Sequence, residues 1–254
     1  MKSLLTFSLI SLLFFSNAWS KDKKTIKLVT IEWPPYVSNK IEGKGWTSQV
    51  IRAAFKTQGY ETKFVIVKGS SPWGQVLKMV KDGRFIGGFP AYYSEDRTAS
   101  YFFSRSIGRG PLGFFKRRGE KIEFNGALES LKKYKIGIVK NYVNSEIFDK
   151  ADYLKKRAYK NDRTSLVMLN KKRVDLVLLD KLVTKHHLKF DPYLKAVKSN
   201  FEFIEPPLEN KNLHIIFTKA GNKGRNFTAV FLKGLTEIKN NGEYEKILTK
   251  YNAK

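Results

Sequence analysis

Strand-like and helix-like runs alternate along most of this chain, and that alternation restricts it to an α/β architecture. Thr25 to Ile31 reads as a strand stopped by Trp33-Pro34-Pro35. Trp46 to Gln58 carries apolar residues at Val50, Ile51, Ala54 and Phe55, a helical spacing closed by Gly59. Lys63 to Val67 alternates as a strand does, Trp73 to Lys81 spaces Trp73, Val76, Leu77 and Val80 as a helix ending at Asp82-Gly83, and Phe85 to Phe89 is a short strand weakened by glycine. Ser94 followed by Glu95 and Asp96 is a helix N-cap signature that puts Arg97 in the first turn. A loop-rich section running to Pro111 separates this set from a second one. The second set holds a helix at Ala127 to Lys133, a strand at Lys135 to Val139, a helix from about Asn144, a helix at Thr164 to Lys172 and a strand at Val174 to Leu179. After Pro206-Pro207 come a strand at Leu213 to Phe217 and a long helix at Asn226 to Asn240. Two sets of βα units joined by loop-rich connectors predict two α/β lobes.

A chain of 254 residues with 42% hydrophobic content can bury a core, so wholesale disorder is not expected. The absence of cysteine removes disulfides, thiolate nucleophiles, cysteine-ligated metals and lipid attachment through cysteine. Residues 1–20 begin with the basic Lys2, continue through an apolar stretch from Leu4 to Phe15 and leave by Ala18-Trp19-Ser20. That stretch is about 12 residues, whereas a bilayer span takes roughly 20. The pattern predicts a cleavable secretory signal and a periplasmic mature chain from about Lys21, without a lipid anchor. An N-terminal membrane anchor is the competing reading, since Trp19 is unusual between two small residues.

Lys and Arg number 48 against 23 Asp and Glu, a net charge of +25. Such a field favours anionic surroundings, including acidic lipid headgroups and envelope polymers. The positive charges are nonetheless scattered, with short knots at Lys116-Arg117-Arg118, Lys155-Lys156-Arg157 and Lys171-Lys172-Arg173, the pattern of a solvated basic surface. No zinc-finger spacing, RNA-binding aromatic signature or sustained basic heptad is present, which argues against sequence-specific nucleic-acid recognition.

The mature chain resembles the periplasmic solute-binding proteins of ABC importers, polar amino-acid type. The resemblance runs from about Ile26 to Tyr251. Its pieces are Trp33-Pro34-Pro35-Tyr36, Gly45-Trp46, Trp73 with Leu77, and Ser94-Glu95-Asp96-Arg97 followed by Tyr101-Phe102-Phe103-Ser104. Further on come Arg173-Val174-Asp175-Leu176-Val177 with Asp180, then Gly242-Glu243-Tyr244-Glu245-Lys246-Ile247-Leu248 and Lys250-Tyr251. It implies the type II periplasmic binding protein fold, two Rossmann-like α/β lobes on a two-segment hinge. Lobe 1 would comprise residues 21–110 and 213–254, lobe 2 residues 111–212, with hinge crossings near Ile107 to Phe115 and Leu208 to Leu213. A small carboxylate-bearing solute, an amino acid or related compound, would bind between the lobes and hold them shut. The partners implied are ABC transporter membrane subunits or a membrane sensor, and the protein itself would be a monomer without a cofactor.

By the same resemblance Arg97 would hold the ligand carboxylate, for which its planar guanidinium is suited; the competing role is an ion pair with Glu95 or Asp96. Asp180 would accept from the ligand ammonium, or else cap the helix that begins near Leu182. Trp33 and Trp73 would sandwich the ligand, with core packing as the alternative. Tyr36 and Tyr92 are further candidates. Lys140 and Asn141 stand at a turn where relatives usually carry small residues. Two segments depart from the family pattern: Lys140-Asn141-Tyr142-Val143-Asn144 lacks glycine, and Phe89-Pro90-Ala91-Tyr92-Tyr93 replaces a small-residue run with one containing a proline that cannot donate. Asp175 reads as structural. His186 and His187 are adjacent on a helix and His214 stands alone, so a metal site is not expected. Two other functions stay open: a cyclic-acid dehydratase using Glu32 or Asp180 as acid or base, and an electrostatic binder of envelope polyanions.

Overall fold

The computed structural model describes residues 24–69 and 71–253; the expected signal at residues 1–20 lies outside the described residues. The chain runs through β1 (Lys24–Ile31), α1 (Trp46–Thr57), β2 (Tyr60–Val67), α2 (Pro72–Lys81), β3 (Gly87–Tyr92), the single turn α3 (Glu95–Thr98), β4 (Tyr101–Phe103) and β5 (Gly108–Arg117). It continues through β6 (Lys135–Val139), α4 (Glu146–Lys150), β7 (Lys155–Tyr159), α5 (Asp162–Asn170), β8 (Leu176–Asp180), α6 (Lys181–Phe190), α7 (Pro192–Ala196) and β9 (Phe201–Phe203). The last elements are β10 (Glu209–Thr218), α8 (Lys223–Asn240) and α9 (Glu243–Lys250).

Strand order is β2-β1-β3-β10-β5-β8-β6-β7, with β4 on β10 and β9 on β5. The outer strands on each side are parallel, β2-β1-β3 and β8-β6-β7, while β10 and β5 between them are antiparallel to each other and to their outer neighbours. Leu213 pairs with Gly108 and Glu209 with Leu112, whereas the following residues of β5 pair with β8 and the following residues of β10 pair with β3. These two strands therefore carry the chain from one α/β half to the other and back, which makes the first half discontinuous in sequence.

Each half buries its own apolar faces. Leu28, Val29, Val50, Ile51, Ala54, Phe55, Phe217 and Phe231 are buried in the first, and Ile136, Leu166, Leu169, Val177 and Leu179 in the second. At about 1.5 to 3 kcal/mol for a fully buried large apolar side chain, such cores are the main stabilising term.

Four parts of the chain differ from expectation. The loop-rich section before Pro111 contains β4 and the start of β5, whose Gly108-Arg109-Gly110-Pro111 composition hides a strand. Ala127 to Lys133 forms only a 3₁₀ turn at Leu128–Leu131. Strand β7, Lys-Lys-Arg-Ala-Tyr, has no apolar alternation because it is the last strand of the sheet, where charge protects an open edge. Strand β3 begins two residues later than expected and tolerates Pro90 because the ladder with β10 is bulged between His214 and Ile216.

Candidate functional site

Ile31, Trp33, Trp73, Pro90, Tyr92, Arg97, Tyr142 and Val143 line a cavity between the two halves. Its volume for a water-sized sphere is about 20 Å³, enough for a single water. Aromatic rings fill most of the space around this cavity. Trp33 follows β1, stacks on Tyr36 at 4.7 Å, and meets Tyr142 of the other half edge-on at 6.3 Å and 89°. Trp33 and Tyr92 pack edge-on at 5.8 Å.

Arg97 stands in the single turn α3 and reaches the cavity half-buried. Ser94 has extended backbone at the N-cap position but its hydroxyl makes no capping bond. Arg97 Nη2 donates 2.7 Å to the carbonyl of Asn141 in the second half, and among the described residues it forms no ion pair with Glu95 or Asp96. Burial lowers its pKa, which leaves a guanidinium charged all the same. Asn141 sits at φ 67°, a left-handed conformation Asn tolerates, and its Nδ2 donates 3.0 Å to Ser71 Oγ at the head of α2. A Cβ at Gly74 would lie 2.6 Å from that Nδ2, so a side chain at position 74 would push the Asn141 amide aside.

Asp180 ends β8 and opens α6. Its Oδ1 accepts from the backbone N–H groups of Leu182 at 2.8 Å and Val183 at 3.0 Å, the N-cap geometry. Its Oδ2 accepts from Tyr36 at 2.8 Å and Tyr92 at 3.0 Å, both reaching over from the first half. Four donors fill the carboxylate's four acceptor sites, and Asp180 does not line the cavity. Burial raises its pKa from 3.8 to about 6, with the four donors opposing that rise. Burial first, then the Asp180 charge, pushes both phenols well above their ordinary pKa. A Cβ at Gly110 of β5 would fall 1.9 Å from the Tyr36 hydroxyl and 2.5 Å from Asp180 Oδ2. Only glycine fits beneath this pair. Lys211, nearly buried on β10, places its ammonium 5.7 Å from the centre of the Tyr92 ring.

Of the residues singled out from sequence, Trp33, Trp73, Tyr92 and Arg97 line the cavity, Asn141 closes it by accepting from Arg97, and Tyr36 joins Asp180 behind it. Lys140 is exposed and does not line it. Glu32 is exposed and accepts from the Asn39 amide at 3.0 Å, so neither carboxylate named for acid–base chemistry faces the cavity. Sequence reasoning passed over Tyr142 and Asp162. Tyr142 donates 3.0 Å to Asp162 Oδ2 and borders the cavity, yet in the sequence it reads only as a bulky replacement for a small residue. Asp162 follows the true N-cap, Asn161, and reads as ordinary first-turn acid. Among the described residues no group of three or more His, Cys, Asp or Glu is placed to hold a metal, and no helix is long and apolar enough to cross a membrane.

Residues 26–254 match the bacterial extracellular solute-binding proteins, family 3. No curated protein matches the sequence. Among solved structures, a histidine kinase sensor domain with similarity to periplasmic binding proteins superposes with TM-score 0.77 at 19% identity, covering 91% of this chain and 97% of its own. An ancestral arginine-binding protein bound to arginine gives TM-score 0.73 at 20% identity, covering 89% and 97%. The arginine-, lysine-, histidine-binding protein ArtJ from the thermophilic bacterium Geobacillus stearothermophilus gives 0.71 at 18%, covering 91% and 96%. At these identities the likeness is one of fold: the type II periplasmic binding protein fold, mixed α/β with a curled sheet.

Proposed function

The chain belongs to the bacterial extracellular solute-binding proteins, family 3, and from that premise we propose that it captures a small carboxylate-bearing solute, an amino acid or close relative, between its halves. One observation carries this reading. Arg97 lines the interlobe cavity with a single neutral partner, the Asn141 carbonyl, and no carboxylate paired to it among the described residues. A ligand carboxylate entering the cleft exchanges that one bond for a two-pronged, charge-assisted pair. Trp33 and Trp73 both line the cavity and supply flat apolar faces to it.

The lobes are residues 21–110 with 213–254, and residues 111–212, turning about the β5–β10 pair. Contacts made to both lobes at once supply the free energy of closure. The aromatic walls and the Asn141 carbonyl now hold the space that a ligand takes, so loading requires the cleft to open first. The loaded form is presented to an ABC importer or a membrane sensor; the fold likeness to a kinase sensor domain keeps both recipients in view. The protein acts as a binder in the periplasm, not as an enzyme.

Thermal unfolding of the protein with single amino acids, plain carboxylates and sugars tests this. A ligand present at about 100 times its Kd stabilises by about 2.7 kcal/mol. At least one carboxylate-bearing compound raises the melting temperature of the wild type, and Arg97→Ala loses that response while keeping its ligand-free melting temperature within a few degrees. Stabilisation retained by Arg97→Ala, or stabilisation by sugars alone, contradicts the reading.

A further inference from the structure

Solute capture leaves the net charge of +25 unexplained, and that charge is spread unevenly over the grooves of the surface. One open groove beside β9 carries Glu123, Glu202 and Glu205, and another between the halves carries five carboxylates, among them Glu95 and Asp149. A groove of about 570 Å³ on the second half carries none. It is lined by Lys185, Leu188, Lys189 and Phe190 of α6, Lys195 of α7, and Lys198 of the 3₁₀ turn that follows.

Helical spacing builds this face. Lys185 and Lys189 stand one turn apart on α6, which sets two like charges side by side at a cost to the helix. Of the five lysines in residues 181–200, Lys181 pairs with Glu205, and among the described residues the other four form no ion pair. The one acid of that stretch, Asp191, is already engaged: it accepts from Arg163 at 2.7 Å and from the Leu194 amide at 3.0 Å, capping α7. Phe190 ends α6 and is 60% exposed, unusual for a ring of that size, with the His186 ring at 4.5 Å and the Lys189 ammonium at 5.1 Å. The charge continues outward. Exposed Arg118 donates 2.9 Å to the Ser199 carbonyl on the rim. Asn170, which precedes the Lys171-Lys172-Arg173 knot, is bonded at 3.0 Å to both Tyr193 and Asn200. Two of the basic knots in the sequence therefore border the groove.

We propose that this face docks on a bilayer surface carrying anionic phospholipid: the four lysines meet the phosphate-bearing headgroups and the Phe190 ring enters the boundary between headgroups and acyl chains. Cations that no carboxylate neutralises are drawn to a negative surface additively, and salt weakens the attraction. The exposed ring favours a lipid surface over a free anion. A phosphate ion would leave Phe190 in water, whereas an aromatic ring among lysine stems is what an interfacial helix presents to a membrane. All of these residues lie in the second half and none lines the cavity at Arg97, so docking does not rest on solute capture.

Co-sedimentation with vesicles tests this, using phosphatidylcholine alone and phosphatidylcholine with about a third of phosphatidylglycerol. Wild type binds the anionic vesicles and not the neutral ones. At about fivefold in affinity per lysine near such a surface, Lys185→Gln, Lys189→Gln, Lys195→Gln and Lys198→Gln together weaken binding by about 30-fold or more. A control with the same loss of charge from exposed lysines of the first half, Lys27→Gln, Lys56→Gln, Lys63→Gln and Lys233→Gln, stays within about threefold of wild type. Anionic vesicles shift the tryptophan emission of Phe190→Trp to shorter wavelength than that of wild type, and Arg97→Ala binds them as wild type does. Equal weakening in the two fourfold variants overturns the assignment, because the charge then acts diffusely. Absence of vesicle binding, an unmoved emission in Phe190→Trp, or loss of binding in Arg97→Ala also overturns it. So does displacement from vesicles by inorganic phosphate but not by chloride at matched ionic strength, which marks a site for a free anion. Binding of polyglutamate without binding of vesicles gives the face to an acidic protein and overturns the lipid assignment.

Discussion

Replacing Asp180 with Asn isolates the pH dependence of the interlobe carboxylate. Asn keeps a side-chain oxygen for the amides of Leu182 and Val183, and Asn is as good an N-cap as Asp. What it loses is the titration. The folded carboxyl has its pKa raised from 3.8 to about 6, chiefly by burial. A carboxyl that is harder to ionise when folded binds more protons in the native state than in the unfolded one across that interval. Its contribution to stability is therefore fully present below pH 3.8 and is lost as pH rises through 6. At about 1.4 kcal/mol per pH unit, the interval of roughly two units corresponds to about 3 kcal/mol, of which about 2 kcal/mol falls between pH 4 and pH 7. Urea unfolding of both proteins at steps across that range, without ligand, gives the difference in stability at each pH; the remaining carboxylates cancel in it. Wild type minus Asp180→Asn declines by about 2 kcal/mol over the range. A difference that is flat to within about 0.5 kcal/mol, or that rises with pH, refutes the reasoning.

Gly110→Ala drives a methyl group against the Tyr36 hydroxyl and Asp180 and destabilises by about 1 to 3 kcal/mol in urea unfolding. Tyr92→Phe removes one donor to Asp180, so the Asp180 carboxyl titrates above about 6, followed by its carbon-13 resonance. Removing both phenols, in Tyr36→Phe with Tyr92→Phe, takes away two interlobe bonds to a charged group at about 1.5 to 3 kcal/mol each, and small-angle scattering of the ligand-free double variant shows a larger radius of gyration than wild type.

Much of the fold was legible because its periodicities are local. Strand β6 coincides with the expected Lys135 to Val139, and helix α1 with its apolar quartet begins where Gly45-Trp46 suggested. The strands that join the halves were hard to read for an equally local reason: glycine and proline in β5 suppress the strand signal that pairing with β10 and β8 supplies. The site divides the same way. Arg97 was visible through its motif. Asp180 left two readings open, ligand partner or helix cap; the cap bonds are local, but the phenols that fill its second oxygen come from 144 and 88 residues away, separations no spacing rule spans. Asp162 gave no signal at all, since one acid after a capping Asn is what any helix start looks like.

The account stands on Arg97 as the carboxylate anchor of the cleft, and calorimetric titration tests it most directly. Wild type and Arg97→Ala are titrated with the compound that stabilises the wild type most. One-site binding in the wild type and affinity weaker by about 30-fold or more in Arg97→Ala is the predicted result; affinities within threefold of each other contradict it.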